Sequence, residues 1–332
     1  MNHKVSRFFD SVWYGQRPIA TLFIPLTFLF SLMVKVRKLL FKMGVLSSTQ
    51  LDVPVIIVGN ITVGGTGKTP LVIWVTELLL KAGYHPGVIS RGYGGVASSW
   101  PQQVRGDSDA RIVGDEAKII AGKTGCPVAV GPDRAQSAQA LMDHHQCDII
   151  VSDDGLQHYA LKRDIEIALV DGERRYGNRY LLPAGPLREP VSRLKIVDLI
   201  VCNGLANANE YHMKTEGSEA VNVLDETIIV PLDTLKGVKV HALAGLGNPS
   251  RFFSHLRKFG IQFDSHIYPD HHTYEAEDIS FGDEKPVLMT EKDAVKCTMI
   301  AGTNHWFVPI RAQMTEKFGL GLLSLLKEKI NG

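Results

Sequence analysis

The chain is short of the features that mark a disulfide scaffold, a zinc protein or a nucleic-acid binder. It has only four cysteines, Cys126, Cys147, Cys202 and Cys297, with no CxxC pair and no histidine at metal-ligand spacing. Such residues read as reduced, buried thiols in a reducing compartment. It also lacks an excess of either charge: 36 Lys+Arg against 35 Asp+Glu leave a net +1, so the bulk electrostatics give no case for nucleic acid. No internal repeat and no low-complexity tract is visible. With 45% apolar and 21% charged residues in 332, the chain has an ordinary composition and can bury a sizeable core. Its length suits two domains, or one large α/β domain with an appendage.

A full transmembrane span is missing too. Residues 19–34 carry no charge, but a spanning helix needs about 20 apolar residues. Pro25 is expected to kink the run. Arg17 precedes it, and Lys35, Arg37, Lys38 and Lys42 follow. No small-x-small site follows, which argues against a cleaved signal peptide. A buried core helix is one alternative. The reading favoured here is an interfacial helix whose basic collar sits against anionic lipid on the cytoplasmic side.

What is present is an alternation of apolar runs and helical patterns. Residues 53–58 read as a buried parallel strand and 70–82 as a helix with Pro70 in its first turn. Strands follow at 87–89, 128–130 and 148–151, helices at 115–122 and 132–145, and further apolar runs at 164–171 and 197–202. This predicts a P-loop NTPase-like, mostly parallel sheet flanked by helices. The pattern weakens over 205–238. A second alternating unit begins near 239, with strands at 240–244, 261–268 and 287–290 and helices from Pro249 and Thr315. The expected division is a membrane-associated helix over 1–45, a P-loop domain over 46–215, a connector over 216–238 and a smaller α/β domain over 239–332.

The loop between the first strand and helix reads Thr-Val-Gly-Gly-Thr-Gly-Lys-Thr at 62–69. Thr62 stands where GxxxxGK[ST] has its first glycine. The segment fits the variant Gly64-Gly65-Thr66-Gly67-Lys68-Thr69, without the extra lysine some variants carry, since Val63 is there. Glycines let backbone N–H groups turn in on phosphate oxygens, and the helix N-terminus adds its positive end. Lys68 suits the β/γ-phosphates and Thr69 a Mg²⁺ ion. A Gly-rich αβ turn with a surface lysine is the bland alternative. The acidic partner of such a loop is an Asp at the end of a later strand, and Asp153 and Asp154 meet that description, although two Asp after a strand also suit a plain turn.

Other candidates stay open on spacing alone. Asp115 and Glu116 begin a helix; either caps it, or one serves as a base or metal ligand. His271 and His272 are neighbours and point different ways on any regular element, so a two-His metal site is a poor reading. His271 pairing with a carboxylate across a cleft is the functional option. Arg91, Arg134, Arg163, Arg188 and Arg193 lie near turns; most read as solvated, with one or two free to grip a phosphate.

Taken together the motifs resemble the tetraacyldisaccharide 4'-kinase family of lipid A biosynthesis over nearly the whole chain. The blocks are 58–70, Ser-Arg-Gly-Tyr-Gly at 90–94, Val-Gly-Asp-Glu at 113–116 and Gly-Pro-Asp-Arg at 131–134. Asp-Asp-Gly-Leu-Gln-His at 153–158, Leu-Pro-Ala-Gly-Pro-Leu-Arg-Glu at 182–189, Pro-Asp-His-His at 269–272 and Met-Thr-Glu-Lys-Asp-Ala-Val-Lys at 289–296 complete the set. The resemblance implies an ATP- and Mg²⁺-dependent kinase of a lipid A disaccharide precursor at the membrane surface, on the cytoplasmic face of a bacterial inner membrane. It implies no obligate protein partner. It gives Asp115 the role of base, aided by His271. Gly64, Gly65, Thr66, Gly67, Lys68, Thr69 and Arg134 would hold the nucleotide. Thr69, Glu116, Asp153 and Asp154 would organise Mg²⁺. Tyr93, Gln157 and His158 would lie near the lipid headgroup. The expected active site is a cleft between the two domains. One departure is Gly95, where a basic residue is expected. The alternative is a membrane-associated P-loop NTPase switch that makes no phosphorylated product. Against its GTPase form, Thr-Glu-Lys-Asp at 290–293 lacks the NKxD spacing.

Overall fold

The computed structural model describes residues 3–15 and 18–331. Arg17 lies outside them. The chain forms two sheets. The larger has nine strands in the order Arg311–Met314, Tyr211–Glu216, Leu199–Asn203, Ile165–Asp171, Val55–Gly59, Ile149–Asp153, Pro86–Ser90, Val128–Val130 and Gln102–Val104. Its seven inner strands are parallel and the two edge strands antiparallel. Inner strands of this kind are buried on both faces, so their residues alternate between two cores. Ile56 and Val58 enter one core, with Leu71, Val75 and Leu79 of helix Lys68–Lys81. Val55 and Ile57 enter the other, with Ala138 and Leu141 of helix Arg134–His145.

The smaller sheet has six strands, ordered Ile229–Pro231, Glu219–Asn222, His305–Val308, Val287–Thr290, Lys239–Ala244 and Gln262–Ile267. Its core gathers Val240, Ala242 and Leu288 with Phe252, Phe253 and Leu256 of helix Pro249–Lys258.

Two corrections to the expected boundaries follow. Residues 216–238 are not a bare connector, because 219–222 and 229–231 pair into the smaller sheet. Nor do residues 239–332 all belong to it. After Val308 the chain returns: Arg311–Met314 pairs with Tyr211–Glu216, and helix Glu316–Asn331 covers the larger sheet. Its Phe318, Leu322 and Leu326 recur every four residues, the stripe a helix needs to close a core. Phe318 packs against Trp74 with ring centroids 5.4 Å apart. The outward and return crossings run side by side, since a Cβ on Gly217 would lie 2.4 Å from the Pro309 carbonyl oxygen.

The N-terminal segment changes helix type just before Pro25. Pro18–Phe23 is a 3-10 turn and Ile24–Lys42 a helix, with Pro25 in the first turn, where its missing N–H costs nothing. No kink results. Residues Ile19–Lys42 are long and apolar enough to cross a membrane by length and composition. They are not a buried core helix: Leu22, Phe28 and Met33 are 73%, 68% and 63% exposed. Thr27 anchors the helix, donating to the Leu181 carbonyl and accepting from the Ala184 N–H. The four cysteines are free and buried.

Candidate active site

The phosphate loop leaves the C-terminal end of Val55–Gly59 and enters helix Lys68–Lys81, the place where parallel sheets bind ligands. Gly67 precedes the helix with φ 95°, a left-handed value that favours glycine. A Cβ there would also come within 2.6 Å of Asn203 Nδ2, which donates to the Thr66 carbonyl oxygen at 3.0 Å. Asn60 braces the loop from inside: its Nδ2 donates to Thr66 Oγ1 at 3.3 Å, and its Oδ1 accepts from Lys68 Nζ at 3.4 Å. The Thr69 hydroxyl has no hydrogen bond among the described residues.

Strand register brings the acids alongside. Val58 pairs with Asp153 in parallel, so Asp153 sits beside the start of the loop. One of its oxygens accepts from Ser90 Oγ at 3.2 Å; the other is buried without a partner. Burial, and next the charge of Glu116, push the Asp153 carboxyl up to about 7. Asp154 takes a left-handed φ of 49° and turns to the cations. Arg188 Nη1 reaches its two oxygens at 3.0 and 2.8 Å, and Lys68 Nζ lies 3.6 Å away. Burial alone would raise this carboxyl, but Lys68 and Arg188 outweigh it and hold it well below the usual range.

The smaller sheet supplies the opposite wall. His271 has φ 59°, and its Nδ1 lies 3.1 Å from Asp115 Oδ2. The Tyr93 ring packs against its imidazole edge to face, with centroids 4.7 Å apart. Burial would raise the Asp115 carboxyl, but His271, Lys292 and Lys296 together hold it below its ordinary value. His272 turns the other way, to Asp278 at 3.0 Å.

Thr66, Gly67, Lys68, Thr69, Tyr93, Glu116, Asp153, Asp154, Arg188 and His271 border one cleft of about 1670 Å³, together with Gly64, Gly65, Arg134, Gln157 and His158, whereas Asn60, Asp115 and His272 do not line it. Asp115 is only 3% exposed and lies behind His271. Arg134 is buried and donates to the Asp154 carbonyl oxygen at 3.0 Å. Gln157 bridges the Asn60 carbonyl, Glu189 and Arg188. His158 is pushed down to about 4 by burial and then by Arg134 and Arg163, so it is neutral near pH 7.

The donors fit Mg²⁺. Among the described residues no three acidic, histidine or cysteine side chains could hold a metal alone. Mg²⁺ ordinarily takes one or two carboxylates plus substrate phosphates and waters. The unpartnered Asp153 oxygen and the free Thr69 hydroxyl are such a set, with Glu116 and Asp154 flanking.

Several contributors escape sequence reading. Lys292 Nζ meets Glu116 at 3.1 Å, Asp270 at 3.2 Å and His271 Nε2 at 3.5 Å. Lys292 falls in the 289–296 block but receives no role there, and its tetrapeptide is otherwise weighed as a failed base-recognition motif; its position, one residue into a helix after an apolar strand, is the usable signal. Asn60 and Asn203 show the same kind of signal, a polar residue at or just past the end of a buried strand. The arginines are mostly not solvated: Arg134 and Arg193 are buried, and Arg188 and Arg163 are half-buried in ion pairs. At Gly95 a Cβ would stand 2.3 Å from the Ile112 carbonyl oxygen, so this backbone has no room for the basic side chain expected there.

The chain is similar to known proteins along nearly its full length. The family model for Tetraacyldisaccharide-1-P 4'-kinase matches residues 19–327. A tetraacyldisaccharide 4'-kinase from Nitrosococcus oceani is 50% identical over 323 residues, 96% of this chain and 95% of that protein. One from Methylobacillus flagellatus is 46% identical over 336 residues, 99% of this chain and 100% of that protein. The crystal structure of the Aquifex aeolicus enzyme in complex with ATP is 26% identical, with TM-score 0.78, covering 93% of this chain and 99% of that one. With a family model spanning most of its residues and relatives this similar end to end, the chain belongs to the tetraacyldisaccharide-1-P 4'-kinase family.

Proposed function

We propose that the chain transfers the γ-phosphoryl group of ATP to the 4'-hydroxyl of a tetraacyl disaccharide 1-phosphate, a lipid A precursor, at the cytoplasmic face of a bacterial inner membrane. The observation that carries this reading is the Asp115–His271 pair, which sets a proton acceptor on the cleft wall opposite the phosphate loop. An NTPase switch has no use for a base facing an acceptor alcohol.

The loop N–H groups and Lys68 would hold the β- and γ-phosphates, with Arg134 behind them. Thr69, Asp153, Asp154 and Glu116 would hold Mg²⁺, which supplies neutralisation of phosphate charge when bound. Arg188 and Lys68 keep Asp154 ionised for that task. As the new P–O bond forms at the 4'-oxygen and the bond to the leaving diphosphate breaks, the hydroxyl proton passes to the pair. His271 is the member that meets the cleft, and Asp115 behind it orients the ring and stabilises its charge. Asp115 remains the base if lobe movement brings it forward. Lys292 links His271 to Glu116, tying the proton acceptor to the metal ligands. Tyr93, Gln157 and His158 would meet the sugar. Closing the two sheets, as lobes about their paired crossings, would exclude water and limit wasteful hydrolysis.

The helix Ile24–Lys42 would lie in one leaflet, its exposed apolar face in hydrocarbon and Lys35, Arg37, Lys38 and Lys42 at the headgroups. It borders the same cleft through Phe30, Val34 and Arg37, so an acyl-anchored acceptor would enter without leaving the membrane surface. Deleting residues 1–40 is expected to release the protein from membranes; a truncated form that still sediments with them refutes this seating.

The activity is tested with γ-labelled ATP, Mg²⁺ and a tetraacyl disaccharide 1-phosphate in detergent. Label is expected in the lipid and is expected to be lost with Lys68→Ala. ATP hydrolysis without labelled lipid would move the case to the switch.

A further inference from the structure

Beneath the basic end of the N-terminal helix lies a second cavity of about 490 Å³, within the usual range for small-ligand pockets. It is separate from the catalytic cleft, and Tyr159 borders both. Its cations come from three places in the chain: Lys38 and Lys42 from the N-terminal helix, Arg163 and Arg193 from the larger sheet's loops, and Lys329 from the C-terminal helix. Its three acids are already engaged. Asp164 accepts from the Val55 N–H and Asp198 from the Glu166 N–H, both at 2.8 Å. Glu166 takes Arg163 at 3.0 Å and Arg193 at 2.5 Å.

The cations are not all engaged. Lys42 and Lys329 are exposed and have no ion pair among the described residues. The Arg193 side chain is only 3% exposed, yet its Nη1 has no acceptor. A buried guanidinium N–H without a partner is costly, and a bound anion would satisfy it. The rim carries two apolar side chains, Phe41 from the helix and the 72% exposed Ile196 from the end of the 3-10 turn Val191–Lys195. An anion cradle with an apolar lip suits an amphiphile better than a free ion.

We infer that this cavity binds the headgroup phosphate of an acidic phospholipid, with Arg193 beneath it and Lys42 and Lys329 on either side. The inference rests on the membrane seating of the helix proposed above. It goes beyond the kinase reaction, because the lipid is a resident of the bilayer and not the acceptor. Lys38, bound at 2.5 Å to Glu189 on the wall of the catalytic cleft, places the occupied cavity one ion pair from the active site.

The test uses the full-length protein in detergent, without ATP or acceptor, so failure of the kinase reading does not bear on it. Dihexanoyl phosphatidylglycerol is titrated below its micellar concentration and binding followed by ³¹P NMR. One saturable equivalent is expected, with dihexanoyl phosphatidylcholine and inorganic phosphate each at least about tenfold weaker, as expected when the acidic headgroup and apolar lip both contribute. Lys42→Gln with Lys329→Gln is expected to weaken binding about tenfold, the loss of two charge-assisted contacts. Lys35→Gln with Lys327→Gln removes the same charge from the same two helices outside the cavity and is expected to change binding less than about twofold. All four lysines are exposed, and near-ultraviolet circular dichroism checks that both variants keep the fold. Equal losses in the two variants would reduce the effect to diffuse attraction and overturn the site. Inorganic phosphate binding as tightly as the lipid would make it a free-anion site. One-for-one displacement by the tetraacyl disaccharide 1-phosphate would assign the cavity to the substrate.

Discussion

Asp115 and His271 are 156 positions apart in the chain, yet His271 Nδ1 stands 3.1 Å from the Asp115 carboxylate, the one at the start of helix Asp115–Thr124 and the other in the turn that follows strand Gln262–Ile267 of the smaller sheet. If they act as one proton-accepting unit, their removal is not additive. Asp115→Ala and His271→Ala are each expected to lower kcat by about 10²–10⁴-fold, and the double variant by little more. ATP affinity, read by nucleotide titration, should hardly move. Multiplying losses in the double variant would show two independent roles.

The buried Asp153 carboxyl sets a pH dependence on metal binding. Its value of about 7 means that below neutrality Mg²⁺ must displace a proton, and above it need not. Mg²⁺ affinity is therefore expected to rise between about pH 6 and about pH 8 and then level off. Burial is the main cause and the Glu116 charge the next, so Glu116→Gln should move the rise to lower pH while weakening the plateau. A titration that is flat over this window contradicts the assignment. The same shift bears on stability. An acid raised in the folded state costs stability as pH climbs from the unfolded value toward the folded one, so the metal-free protein should lose stability between about pH 4 and 7 from this group, and Mg²⁺ should restore it.

The turn at Gly67 offers a third test. Gly67→Ala places a Cβ on a residue with φ 95° and drives it toward Asn203 Nδ2. The strain, of order 1–2 kcal/mol, falls on the loop that holds the phosphates, so nucleotide affinity should drop about tenfold. Unchanged affinity would show that the loop does not hold its ligand in this form.

Much of the larger sheet is legible because buried parallel strands are unbroken apolar runs. The strands at 55–59, 128–130 and 149–153, and 287–290 in the smaller sheet, fall close to their expected limits for that reason. The edges are not legible. Gln102–Val104 and Arg311–Met314 are short, partly exposed and polar, and pairing rather than composition makes them strands. Site residues in motifs could be named, but their state could not. Asp153 and Asp154 are neighbours of one type, and only the burial of one and the cations around the other set their carboxyls on opposite sides of the ordinary value. Lys292 was hidden because its partners, Glu116 on one side and Asp270 and His271 on the other, are far apart in the chain.

Phe318 provides the stability test. It is wholly buried in the core shared with helix Lys68–Lys81, and Phe318→Ala should cost about 3–5 kcal/mol in urea unfolding. Met299→Ala, at an 89% exposed position, should stay within about 0.5 kcal/mol. Similar behaviour of the two would mean that the C-terminal helix does not hold the larger sheet.

The return of the chain at Arg311 also orders events during synthesis. The strand and helix that complete the phosphate-loop lobe leave the ribosome after the whole smaller sheet. Until then Leu71, Val75 and the strands beneath them face water along one flank, because Phe318, Leu322 and Leu326 have yet to arrive. The smaller lobe can settle first, as a closed insertion, and the lobe that grips phosphate is sealed only once residues 311–331 have emerged. A ribosome that stops short of residue 311 therefore releases a protein whose second lobe is whole and whose first is open, a fragment for a protease to clear before it meets the membrane.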